Sequence, residues 1–317
     1  MIEGIRRIQE MMEREHYVTD RSIATTAFLA MELKKPVLIE GQAGVGKTEI
    51  AKVLSAALDT ELIRLQCYEG LDVNTALYEW NYPKQMLRIK IEEGSSRDAE
   101  EQESLIFSDP FLLKRPLLRA ISAQTQAPVL LIDEVDRSDE EFEAFLLEVL
   151  SDFQVTIPEL GTLQAKHRPY VVLTSNRTRE LSDALKRRCL YLWIDYPSFE
   201  KELRIITTKV PGINDRLARQ IAMFMQVIRH VKLNKTPGIA ETLDWAMSMM
   251  ALHQDHLDQG AVRETLGAFV KDRDDVGKLS GKPIDILVSS MNGIEEGDLS
   301  EWIQSVTQRL EKEVATR

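Results

Sequence analysis

Gly41, Gly46, Lys47 and Thr48 stand as Gly-x-x-x-x-Gly-Lys-Thr within PVLIEGQAGVGKTEIAK, residues 36–52. Each residue type has a use in holding a polyphosphate. Glycine reaches the backbone conformations that turn successive N–H groups onto an anion. A helix starting at Lys47 adds the positive end of its dipole. Lys47 can reach the β- and γ-phosphates, and the Thr48 hydroxyl can ligate Mg²⁺. Gln42, Ala43, Gly44 and Val45, with Glu49 just beyond, complete the expected nucleotide-binding stretch. The plainer alternative is an ordinary glycine-rich strand-to-helix turn, and the flanking context weighs against it. The spacing G-x-x-G-x-G also departs from the G-x-G-x-x-G of dinucleotide folds, so the chain is expected to bind a nucleotide.

A second group of chemically able residues lies downstream. PVLLIDEVD, residues 128–136, is an apolar run ending in Asp133 and Glu134. Two carboxylates at the carboxyl end of a buried parallel strand sit where open α/β sheets bind ligands. Asp133 suits a direct or water-mediated Mg²⁺ contact, and Glu134 suits activation of an attacking water. A third strand, Tyr170 to Thr174, ends in Ser175-Asn176. The Asn176 amide could hydrogen-bond the same water, and a turn-forming Ser-Asn explains the pair equally well. Lys186, Arg187 and Arg188 close a short helix. They either complement its dipole or place an arginine finger, Arg187 or Arg188, on a neighbouring subunit's γ-phosphate.

The elements that must position these residues follow from periodicity. Ile2, Ile5, Ile8, Met11 and Met12 have helical spacing, and a second helix is expected over Arg21 to Leu33. Tyr17 and Val18, in the segment that precedes the first strand, are candidates for a base pocket, with plain packing the simpler role. Strands are expected at Val37–Ile39, Glu61–Leu65, Val129–Ile132, Tyr170–Thr174 and Leu190–Ile194. An insertion spans about 70–115, aromatic around Trp80 and Tyr82 and acidic from Glu92 to Glu103. A hairpin is expected over about 154–169. After Asp195-Tyr196-Pro197 the strand signals stop. Helices are expected at Phe199–Lys209, Ile213–His230, Gly238–His253 and Ala261–Phe269, then a polar tail with a last helix over Leu299–Val314. The division is therefore residues 1–197, an α/β nucleotide-binding domain, and 198–317, an all-α domain with a tail.

Composition narrows the setting. The 317 residues allow two cores, and 44% hydrophobic with 29% charged residues is ordinary for a soluble protein. A net charge of −11 weighs against a broad nucleic-acid footprint. Cys67 and Cys189 show no pairing or metal spacing, and the five histidines are scattered. Charges throughout MIEGIRRIQEMMEREHY exclude a secretory signal, and no apolar run approaches the length of a membrane span. The expected location is the cytoplasm.

Taken in order, these motifs resemble an AAA+ ATPase: the P-loop, LLIDE, a hairpin, a strand ending in Asn, a basic helix end and an α-helical lid. The hairpin and the insertion look most like the MoxR branch. LIEGQAGVGKTEIAKVL, LIRLQCYEGLD, ALYEWNYPKQMLRI and TSNRTRELSDALKRRCLYLWIDYP look closest to its CoxD-like group, accessory to carbon monoxide dehydrogenase. The resemblance covers roughly residues 15–255. It implies a P-loop NTPase core with a helical lid, and Mg²⁺-dependent ATP hydrolysis. Lys47 and Thr48 become the Walker A pair, Asp133 and Glu134 the Walker B pair, and Asn176 the sensor 1 residue. Arg188 is preferred over Arg187 as the finger. A sensor 2 arginine is missing over Lys235-Thr236-Pro237-Gly238-Ile239-Ala240, so either Lys235 or Lys232 substitutes or the lid senses nucleotide differently. Relatives imply a homo-oligomeric, commonly hexameric ring, a partner bearing a von Willebrand factor A domain, and a client that is in some cases a metalloenzyme.

The expected function is thus ATP-driven remodelling or maturation of a client protein. A nucleic-acid motor and a nucleotide-dependent scaffold with little hydrolysis are the competing classes. The acidic balance weighs against the first and the intact Asp133-Glu134 pair against the second.

Overall fold

The computed structural model describes residues 2–92, 98–291 and 299–315. The part of the acidic run at 93–97 lies outside them. The chain forms two compact units. One comprises Met1–Glu15, Thr19–Gly41 and Lys47–Ile194, and the other His16–Val18, Gln42–Gly46 and Asp195–Arg317.

Among the described residues of the first unit nine strands follow one another: β1 Val37–Gly41, β2 Leu62–Gln66, β3 Tyr78–Trp80, β4 Leu112–Lys114, β5 Val129–Asp133, β6 Gln154–Ile157, β7 Gly161–Gln164, β8 Tyr170–Ser175 and β9 Leu190–Ile194. Five of them make a parallel sheet in the order β2-β5-β8-β1-β9. Val129, Leu130, Leu131 and Ile132 of β5 are almost wholly buried, each stabilising the fold by about 1.5–3 kcal/mol. Parallel strands need crossovers, which is why helices such as Lys47–Ala57 and Glu140–Asp152 separate them. The parallel sheet with its flanking helices is the α/β architecture expected from the motifs.

Because the strands run the same way, Gly41, Gln66, Asp133 and Ser175 all finish at one edge. The pairing puts Gln66 beside Asp133 and Glu40 beside Ser175. The insertion between β2 and β5 carries the antiparallel pair β3-β4 and the helices Tyr82–Glu92 and Ala99–Ile106. Trp80 anchors it, buried edge-on against Phe107 with ring centres 5.2 Å apart. The β6-β7 hairpin lies within the expected stretch.

The second unit has its own core, centred on Phe224, Trp245 and Phe269. The single helix expected over Ala261–Phe269 is two, Gln259–Glu264 and Leu266–Phe269. Thr265 separates them. Its hydroxyl accepts the Trp245 indole N–H at 2.8 Å and donates to Ala261 O at 2.7 Å. A side chain that competes for the helix's own carbonyls favours a break there. Nor is the stretch after 270 a polar tail. Helices Arg273–Leu279 and Lys282–Ser290 bury Leu279, Ile284 and Leu287. Their polar look comes partly from Asp275, which is fully buried and accepts the main-chain N–H groups of Asn234 and Lys235, each at 2.9 Å. No helix among the described residues is long and apolar enough to cross a membrane.

Candidate functional site

The carboxyl edge of the sheet gathers Lys47, Thr48, Asp133, Glu134 and Asn176 of the first unit. The helix Lys47–Ala57 begins at the lysine itself, as a phosphate-facing N-terminus requires. Lys47 Nζ donates to Gly41 O at 2.8 Å and is buried. That burial pushes its ammonium below the ordinary value, while Asp136, Asp133 and Glu134 pull it back up. Glu49 pairs with Lys52 one turn along the same helix, at 3.3 Å. In the second unit Gly44 and Gly46 have φ of 75° and 91°, the left-handed region that glycine enters without strain.

Thr48 Oγ1 donates to Asp133 Oδ1 at 2.9 Å. A hydroxyl beside a buried carboxylate is a small, hard oxygen set. It suits Mg²⁺, which keeps most of its waters and takes few protein ligands. Thr48 and Asp133 would hold the ion, which would neutralise phosphate charge there.

Glu134 follows Asp133 but leaves the strand, at φ 55° and ψ 50°. For a residue with a Cβ this conformation costs about 1–2 kcal/mol. It turns the carboxylate out of the sheet edge, and Thr174 Oγ1 supports it by accepting the Glu134 N–H at 2.9 Å. Asn176 Nδ2 donates to Glu134 Oε1 at 3.3 Å, so the two residues expected to handle one water lie together. Arg187 and Arg188 are exposed, and Arg188 donates to Ser151 Oγ at 2.9 Å and Ala184 O at 3.5 Å. Neither of these partners belongs to the Lys47–Asp133–Glu134 group.

Five residues that sequence reasoning passed over shape this group. Thr174 donates to Asp133 Oδ1 at 2.5 Å. Arg64 and Gln66, on the edge strand β2, reach Asp133 and Glu134. Arg137 Nε stands 3.5 Å from Glu134 Oε2. Asp136, 2% exposed, accepts from Asn176 N, Thr178 N and Thr178 Oγ1. The β2 signal was available: in Leu62–Gln66 the buried Ile63 and Leu65 alternate with Arg64 and Gln66, which share the other face. Cys67, next along, has its thiol pushed up to about 12, mainly by burial.

In the helical unit, the stretch 235–240, where the expected arginine is missing, contains Gly238. A Cβ built there would stand 2.7 Å from Gly44 Cα, and Ile239 N–H donates to Gly44 O at 2.8 Å. Lys232 and Lys235 are exposed. Arg229 is buried and structural: it pairs with Glu202 at 2.6 Å and donates to Pro237 O at 2.9 Å, fixing the approach to Gly238.

Residues 36–189 match the family model of the AAA domain, dynein-related subfamily. An uncharacterized protein of Staphylococcus haemolyticus is 26% identical over 226 residues, which is 69% of this chain and 78% of that one. An uncharacterized Staphylococcus aureus protein matches to the same extent. Among solved structures, the Thermotoga maritima RuvB Holliday junction branch migration motor is 19% identical. It covers 95% of this chain and 87% of its own at a TM-score of 0.46, a likeness too distant to carry function. The stretch 36–189 is an AAA domain.

Proposed function

We propose that this AAA domain binds ATP with Mg²⁺ and hydrolyses it to ADP and phosphate, and that the chain uses the cycle to remodel a client protein. The observation that carries the hydrolytic part is the Asn176–Glu134 contact beside Lys47, Thr48 and Asp133. In this reading the stretch Gly41–Glu49 holds the triphosphate, with Lys47 offsetting charge at its β- and γ-phosphates. Thr48 and Asp133 place the metal. Glu134 takes a proton from water, and Asn176 holds that water in line.

Arg187 and Arg188, both exposed, can serve a neighbour. An arginine supplied in trans is worth roughly 10³–10⁵ in rate, and a site completed by the next subunit implies a closed ring, such as a hexamer. The insertion supports a protein client. On the helix Tyr82–Glu92, Tyr82, Met86, Leu87 and Ile91 are each more than half exposed. Such an apolar face fits a protein partner, here a client enzyme or a von Willebrand factor A domain.

ATP turnover against protein concentration tests this, comparing wild type, Glu134→Gln, Arg188→Ala and the two variants mixed. Cooperative activity, lost in each variant and partly restored on mixing, is expected. Equal activity in dilute monomer, with Arg188→Ala normal, rejects the shared site.

One observation favours the second class, a nucleic-acid-dependent motor. A cavity of about 380 Å³ at the amino ends of β1 and β8 is bordered by Lys34, Lys35, Lys166, His167 and Arg168, a basic cluster on an acidic chain. Salt-sensitive stimulation of turnover by DNA is the result that would favour it.

A further inference from the structure

Asp133 is 2% exposed and its two oxygens accept four hydrogen bonds. Thr48 Oγ1 and Thr174 Oγ1 take Oδ1, at 2.9 and 2.5 Å. Arg64 Nε and Nη2 take Oδ2, at 3.0 and 2.5 Å. A carboxylate offers about four lone-pair sites, so every one is occupied. A metal ion, or a water of its shell, reaches Asp133 only by displacing a donor.

The donors differ in how readily they leave. Thr174 is buried and also supports the Glu134 N–H, and Thr48 sits in the first turn of the P-loop helix. The Arg64 side chain is half exposed, on an edge strand, and can be rehydrated without opening the fold. It is also the one donor with a positive charge, which a divalent cation repels.

Arg64 has a second partner. Its Nη2 donates to Gln66 Oε1 at 2.5 Å, and Gln66 Nε2 in turn donates to Glu134 Oε2 at 3.1 Å. Strand geometry puts residues 64 and 66 on one face, and the register puts Gln66 directly beside Asp133. A continuous line therefore runs Asp133–Arg64–Gln66–Glu134. Together with Asn176 and Arg137, it occupies both oxygens of the glutamate expected to act on water.

We propose that Arg64 is the resident counter-cation of Asp133 in the metal-free protein, and that its displacement by Mg²⁺ loosens the Gln66 hold on Glu134. The proposal rests on the reading of Thr48 and Asp133 as the metal site. Arg64 and Gln66 are positioning residues. With Mg²⁺ absent the guanidinium neutralises the buried carboxylate and pins the Gln66 amide. Once Arg64 swings to solvent, Gln66 Oε1 loses its donor and the amide is free to turn, which leaves Glu134 Oε2 with the looser, exposed Arg137 at 3.5 Å. Readiness of the base is thereby tied to arrival of the metal.

The test measures half-saturating magnesium chloride for formation of the protein complex with a fluorescent ATP analogue, with melting curves in metal-free buffer to check folding. Arg64→Gln is expected to lower the half-saturating concentration about fivefold, the value of an ion pair with one exposed partner. Arg64→Lys, which keeps the charge, is expected to stay near wild type. An unchanged or raised value in Arg64→Gln overturns the proposal, because Arg64 would then be neutral to the metal or would help to hold it. Gln66→Ala tests the relay. It is expected to lower the value in the wild-type background and leave it unchanged beside Arg64→Gln, and strictly additive effects overturn the link. If wild type binds the analogue with no magnesium dependence at all, the metal-site reading itself falls, a result distinct from the others.

Discussion

The carboxylate of Asp136 accepts the main-chain N–H of Asn176, which lies 3.2 Å from both oxygens. The same carboxylate takes Thr178 N at 2.8 Å and Thr178 Oγ1 at 2.7 Å, so it ties the loop after β8 to the turn after β5. Asn176 reaches Glu134 only because that loop is held. Asp136→Asn presents an amide where three donors point, leaving at least one unsatisfied at a cost of about 1–3 kcal/mol. A misplaced Asn176 is expected to lower kcat by up to about 10²-fold with KM for ATP little changed. Steady-state kinetics alongside thermal melting checks both parts. A rise in KM alone would show that Asp136 acts on binding.

Gly238 tests whether the close backbone approach matters. A methyl group there meets Gly44 Cα at 2.7 Å and Gly44 O at 2.8 Å, both backbone atoms with no side chain to yield. Gly238→Ala is expected to destabilise the protein by about 1–3 kcal/mol and to weaken nucleotide binding by shifting the P-loop. Gly277 is the control. It lies exposed in the helix Arg273–Leu279, where an added methyl group would have nothing within 4 Å, so Gly277→Ala should stabilise by about 0.5–1 kcal/mol. Denaturant melts of the two variants, with equilibrium binding of ATP, separate the effects.

The strands of the candidate site were legible because their signals are local. Gly41–Thr48 and Val129–Glu134 announce strand, loop and charge within a few residues, and the helices Arg21–Leu33 and Phe199–Lys209 lie where periodicity puts them. What stayed hidden depends on long-range pairing. Arg64 and Gln66 look like the solvent face of an edge strand until β2 is laid beside β5. Asp136 looks like one more charge in IDEVD, and only the fold shows it buried under Asn176 and Thr178. Asp275 hid the core helices after residue 270 in the same way, since a buried carboxylate satisfied by distant N–H groups has no local signature.

Both thiols are expected to be inert in the folded protein. Burial pushes Cys67 and Cys189 up to about 12, and at Cys67 the carboxylates of Asp133, Asp136 and Glu134 add to the effect, while at Cys189 the nearby Arg188 opposes it. Thiolate is the reactive species, so alkylation by iodoacetamide near neutral pH should be at least about 10²-fold slower than for a free cysteine. Mass spectrometry of the native and urea-unfolded chain checks this, with two modifications expected only after unfolding. Rapid native labelling of Cys67 would mean that the carboxyl end of β2 opens readily to solvent.

Lys47 should make ATP binding pH-dependent in a definite direction. Its pKa lies below the ordinary 10.5 because burial disfavours the ammonium more than the three carboxylates favour it. Between the lowered value and 10.5 the folded protein therefore binds fewer protons than the unfolded chain, and the Lys47 contribution to stability rises with pH through that window. The cost of holding the charge is present in full below the lowered value and disappears above 10.5. A bound triphosphate reverses the local balance by placing negative charge beside Nζ, which raises the pKa again. Binding in the window then requires proton uptake, and affinity falls as pH rises. Calorimetry of ATP binding at several pH values through that window, in two buffers of different ionisation heat, should show net proton uptake. Lys47→Arg keeps the charge without titrating, so its uptake should vanish. Equal uptake in both proteins would assign the proton to another group and leave Lys47 charged throughout.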